Sequence, residues 1–201
     1  MPTLRRDAVE NRAALLDAAR VALNRDPEAS LETIAAEAGL SRRAVYGHFP
    51  TRDDLLREVT AYGAARIASA VAGTAHPDAV IELALIAARL WNEVDSIQVM
   101  AVFAVRGSLK SNIADGLAPL RAMVLSGVER GQTAGTIRTD ITADRLARLM
   151  EDSLLSVFDE STRSDLPHAD GHRLSMLTVL GTLGLGWREA GALIDSTKEL
   201  A

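Results

Sequence analysis

Apolar residues recur along this chain at helical spacing. From about Asp7 to Asn24 they include Ala8, Leu15, Leu16, Ala19, Ala22 and Leu23, one face of a helix. No sustained apolar–polar alternation occurs, so no strands are expected. Pro27, in the segment "RDPEAS", ends the first helical pattern. A short helix from Leu31 to Ala38 follows, with Ser30 as its N-cap, and Gly39-Leu40-Ser41 makes a turn. Ser41 caps a second short helix, Arg42 to His48, and Pro50 lies just beyond it. Thr51 then caps a long helix running to about Ala72. Asp54, at its third position, is placed to bond back in a capping box, and Asp53 and Asp54 suit the positive end of the helix dipole. Later helices are expected near Asp78–Val94, Ser96–Arg106, Ile113–Gly131, Ala143–Asp159 and His172–Leu183, with a short last one near Arg188–Asp195.

The pattern changes near Tyr62, from short charged helices to longer apolar ones. The expected organisation is all-α: an N-terminal three-helix head over residues 1–50 and a larger helical body over 51–201, connected by the helix 51–72. The 201 residues are 48% hydrophobic and 24% charged, which suits a packed core. Cysteine is absent, which removes disulfides and thiolate chemistry. The N-terminus has no apolar signal core, and the most apolar run, 79–91, is too short for a bilayer and carries Glu82 and Arg89. A cytoplasmic protein with no membrane partner is expected. Its net charge of -5 argues against binding nucleic acid through the whole surface but allows a local patch.

Two short helices joined by a glycine turn are the pattern of a helix-turn-helix. Ala35, four residues before Gly39, allows close helix approach, and Val45, six beyond, packs back against Ile34 and Ala35. With Val45 and Phe49 facing inward, Arg42 and Arg43 are the candidates for base edges, since an arginine fork matches the acceptors of guanine. Ala44 is a candidate for a thymine methyl. Tyr46, His48, Thr33 and Arg52 are candidates for phosphate, as are the free N–H groups near Thr51; Ser41 heads the same surface. Arg5 and Arg6 are expected on a flexible arm. A pair of arginines is also what any solvated helix carries, and charge counting does not separate the two readings. Through Glu58, nine basic residues meet ten acids. The signal is placement: no acid lies between Ser41 and Arg52.

The strings "NRAALLDAA", "LETIAAEAGLS" and "AVYGHFPTRDDLL", spanning about Asn11 to Leu56, resemble the DNA-binding head of the tetracycline-repressor (TetR) family of bacterial regulators. The remaining chain resembles that family only in length and helical character. The resemblance implies a homodimer that binds a palindromic double-stranded DNA operator, acts as a repressor, and leaves when an unidentified small molecule enters the body. It also implies phosphate contacts at Tyr46, His48 and Arg52; the last position is commonly lysine in the family. Gly47 departs from the larger residue often found at its place.

In the body, Trp91, Met100, Phe103, Met123, Met150 and Phe158 are candidates to line an effector pocket, with Asn92, Gln98 or Arg121 as polar anchors. Each is equally a core residue by type. Leu146, Leu149, Leu154, Val157, Leu177, Leu180 and Leu183 give apolar stripes suited to a dimer seam, and Gly181 and Gly184 permit close helix approach; the same leucines suit an intramolecular core. No nucleophile elbow or phosphate-binding glycine loop occurs, and the four histidines form no zincin pattern, so no catalysis, metal or cofactor is expected. The alternative to a regulator is a DNA-independent helical small-molecule-binding or scaffold protein.

Overall fold

The computed structural model describes residues 2–94, 96–99, 110–164 and 166–200. Among them the chain is helical, with no strand. The helices are α1 (Pro2–Arg25), α2 (Leu31–Glu37), α3 (Arg42–His48), α4 (Arg52–Val71), α5 (Ala79–Trp91), α6 (Lys110–Ala134), α7 (Ala143–Ser164), α8 (His168–Leu183) and α9 (Trp187–Ser196), ending in a 3-10 turn, Lys198–Leu200. None is long and apolar enough to cross a membrane. α1 begins at Pro2, so the backbone of the expected N-terminal arm is helical.

The chain divides into two compact units. One contains residues 1–66 with 95–116, the other 67–94 with 117–201. The first therefore takes in the opening turns of α4. Its core comes from Leu15, Ala19 and Leu23 of α1, Ile34 and Ala35 of α2, Val45 and Phe49 around α3, and Leu55 of α4, all nearly inaccessible to solvent. α1 packs on α2 and α2 on α3. Gly39 makes the α2–α3 turn at φ +67, a conformation open to glycine at no steric cost.

In the second unit α5 is buried on almost every side. It packs most extensively on α8, and α8 on α7. Asp78 caps α5 by accepting the Val80 N–H at 2.8 Å. The buried carboxylate of Glu82 pairs with Arg130 of α6 at 2.7 Å and accepts the His76 backbone N–H at 3.0 Å. An ionised group in such a place is tolerable only when partnered in this way.

Candidate nucleic-acid interface

α3 has only seven residues, too few to be stable alone, so its ends and one buried stripe fix it. Ser41 accepts the Ala44 N–H at 3.2 Å, satisfying an orphan donor of the first turn. Val45 and Phe49 lie inside, with the Arg12 guanidinium 4.7 Å from the Phe49 ring centroid. Ser30 caps α2 in the same way, accepting the Thr33 N–H at 3.1 Å, with the two hydroxyls 2.9 Å apart. Thr51 and Asp54 cap α4 reciprocally: the Thr51 N–H reaches the Asp54 carboxylate and the Asp54 N–H reaches the Thr51 hydroxyl, both at 3.1 Å. The Thr51 hydroxyl, then Arg57, holds the Asp54 carboxyl below its ordinary pKa.

With 45 and 49 inward, residues 42, 43, 46 and 47 are exposed. Arg42 and Tyr46 are neighbours one turn apart, the guanidinium 5.5 Å from the ring centroid. Arg43 is exposed, Ala44 and His48 are half-buried, and Ser41, Thr33 and Thr51 are exposed. The His48 carbonyl accepts a hydrogen bond from Arg12 at 3.4 Å. At Gly47 a Cβ would meet no atom within 4 Å.

Two features of this surface escape the sequence reading. Glu32 of α2 reaches α3, where its carboxylate accepts the Tyr46 hydroxyl proton at 2.9 Å and pairs with Arg42 at 3.3 Å. Its own backbone N–H, then Tyr46 and Arg42, pull its pKa below the ordinary carboxylate value. An acid-free stretch of sequence is thus not an acid-free surface. Arg52 is half-buried, its Nε donating to the Ala29 carbonyl at 3.0 Å and one terminal nitrogen to the Pro27 carbonyl. Two of its five donors clamp the α1–α2 loop, a use that phosphate contact alone does not require. Only the folded turn brings these partners together.

Of the pocket candidates, Trp91, Met150 and Phe158 are buried and Met123 is half-buried. Trp91 lies with its ring centroid 5.9 Å from those of Phe158 and His168, against Gly171, where a Cβ would fall 1.9 Å from the indole. The Trp91 Nε1 is buried without a hydrogen-bond partner among the described residues. Asn92 is exposed at the C-cap of α5 and lines no interior. Arg121 is likewise exposed, and its bond to Glu151 at 2.6 Å raises its pKa. Gln98 is half-buried in the first unit. Met100 and Phe103 lie outside the described residues.

The seam expectation is corrected in part. Leu146, Leu154 and Leu180 are buried within the single chain, as are Val157 and Leu183, and are unavailable to a partner. Gly184 is the left-handed C-cap of α8, which accounts for glycine there by backbone geometry. Leu149 is exposed, Leu177 half-buried, and Gly181 exposed, with no atom within 4 Å of where a Cβ would lie. His168 and His172 sit at the start of α8, where burial, then His168, lowers the His172 pKa. No group of three metal-ligating side chains occurs among the described residues.

Residues 15–59 match the family model for bacterial regulatory proteins, tetR family. The HTH-type transcriptional repressor LfrR of Mycolicibacterium smegmatis is 50% identical over 46 residues, 23% of this chain and 24% of that protein. The match therefore spans about a quarter of that relative's length. The whole fold is similar to the crystal structure of LfrR from Mycobacterium smegmatis in complex with proflavine, at 18% identity and TM-score 0.70, covering 90% of this chain and 99% of that one. It is also similar to SmeT, the repressor of the Stenotrophomonas maltophilia multidrug efflux pump SmeDEF, at 21% identity and TM-score 0.62, covering 86% and 88%. Over residues 15–59 the chain is thus similar to the head of tetR-family regulators, and beyond it the similarity is one of fold.

Proposed function

We propose that this chain, with its tetR-type head and all-helical body, is a ligand-responsive repressor. It binds a palindromic operator as a homodimer and releases it when a small molecule occupies the body. The observation that carries this reading is α3. It is a short helix capped by Ser41 and braced from inside by Val45 and Phe49, with Arg42, Arg43 and Tyr46 left on its outer side. Residues near the start of such a helix reach base edges in the major groove, so Arg42 and Arg43 read bases and Ala44 meets a thymine methyl. Tyr46, His48, Thr33, Arg52 and the amides near Thr51 hold phosphates. Tyr46 does so by exchanging its bond to Glu32, since a hydroxyl has one proton to give.

Two copies related by a two-fold axis present two such helices to half-sites one helical turn apart. Exposed Leu149, with Leu177 and Gly181 one turn apart on α8, supports an apolar seam. LfrR was crystallised with proflavine, which favours a small organic effector here. The unsatisfied Trp91 N–H is the group such a molecule would satisfy with an acceptor. The effector shifts the DNA-bound population only by its differential affinity for the two arrangements.

Selection from random duplexes, followed by binding across a salt series, tests the reading. The protein should enrich an inverted repeat, and Arg42→Ala with Arg43→Ala should weaken it by about 1–3 kcal/mol per lost bidentate contact. The melting temperature should stay unchanged. A protein that enriches no sequence, or that sediments as a monomer at micromolar concentration, would overturn it, the first outcome favouring a DNA-independent binding or scaffold role.

A further inference from the structure

Among the described residues, Glu32 is the acid that reaches the outer side chains of α3. It holds two of the donors assigned there to DNA: the Arg42 guanidinium at 3.3 Å and the Tyr46 hydroxyl at 2.9 Å. The Arg42 side chain is three-quarters exposed, and Glu32 is the carboxylate it pairs with. We propose that Glu32 is a specificity-determining residue: an internal anion that occupies Arg42 and Tyr46 until a matching operator displaces it. The inference rests on the DNA-reading role of α3.

The physical case follows from what each kind of DNA offers. Non-specific binding draws almost wholly on phosphate neutralisation and counterion release. An Arg42 paired with Glu32 contributes less to that term, and the carboxylate beside it repels the backbone. A correctly registered guanine offers two acceptors in the plane of the guanidinium fork. An exposed ion pair in water is weak enough to be exchanged for that geometry. Glu32 therefore lowers affinity for wrong sequences more than for the right one. Tyr46 adds to the effect, since its only proton is held by the same oxygen.

The test measures binding of the protein to its selected operator and to a scrambled duplex of equal length, across a salt series. Glu32→Gln removes the charge and keeps an acceptor for Tyr46; Glu32→Ala removes both. Both variants should melt close to the parent, because the Glu32 side chain is 41% exposed and its pair with Arg42 lies in solvent. With one more cation free for phosphate, scrambled-duplex affinity should rise about fivefold near 0.15 M salt. Its log–log salt slope should steepen by about 0.9. Operator affinity should change less, so the selectivity ratio falls by a similar factor. A merely structural role would leave the salt slope alone. The inference is overturned if both variants keep the parental slope, or if operator and scrambled affinities rise equally. A parent that selects no duplex at all instead overturns the DNA-binding reading beneath it.

Discussion

The outer face of α3 and the interior of the second unit both join a carboxylate to an arginine, in opposite ways. Glu32 and Arg42 meet in water at 3.3 Å, on side chains 41% and 75% exposed. Glu82 meets Arg130 at 2.7 Å with its own side chain only 7% exposed and a second donor, the His76 N–H, at 3.0 Å. The first pair can be traded for another partner at little cost, because solvent and screening already weaken it. The second cannot, because a buried carboxylate stripped of its partner has no water to turn to. An exposed helix face carries exchangeable pairs; a packed body carries fixed ones.

The largest test of this contrast asks what holds the exchangeable surface in place. Phe49 is fully buried beneath α3, so Phe49→Ala should cost about 3–5 kcal/mol in urea unfolding and abolish DNA binding with it. A binding loss without a stability loss would mean that α3 is not supported from below. The next test compares the pairs directly. Arg130→Ala should destabilise the protein by about 2 kcal/mol, below the 3–5 typical of a fully buried pair because Arg130 is itself half exposed. Arg42→Ala, in the same assay, should cost under about 1 kcal/mol. Equal costs would erase the distinction. The smallest effect is on acid stability. The folded pKa of Asp54 lies below its unfolded value, so its contribution is present above that value and is lost as pH falls through the folded one. An NMR titration should place its midpoint below that of an ordinary aspartate, and Thr51→Val should raise it. An unshifted midpoint would show that the α4 cap is not formed in solution.

Much of the head was legible because its determinants are local. The caps at Ser30, Ser41 and Thr51 each act within three residues, and the bounds of α3 agree with those read from the pattern. Ends without apolar signal were misjudged. α6 is already helical at Lys110, before the expected Ile113, and α8 begins at His168 rather than His172, because polar residues continue a helix without marking it. Contacts across long stretches left no trace in the pattern: Tyr46 finds Glu32 fourteen residues back, and Arg52 finds Pro27 twenty-five back. The leucines of α7 and α8 show a different limit. Leu146 and Leu149 have the same type and neighbouring places, yet one is buried and the other 42% exposed. Periodicity identifies an apolar stripe but cannot say whether its cover is the same chain or a second copy.

Gly47 sits on the exposed side of α3 with open space where a side chain would go. Its neighbours on the surface are tied to something: Arg42 and Tyr46 to Glu32, Thr51 to Asp54. Position 47 is tied to nothing, and replacing a helical glycine favours the helix by up to about 1 kcal/mol. Mutation there meets no penalty from the fold while changing what α3 presents to its surroundings. Position 47 is therefore a place where the outer face of α3 can vary while the architecture beneath it stays untouched.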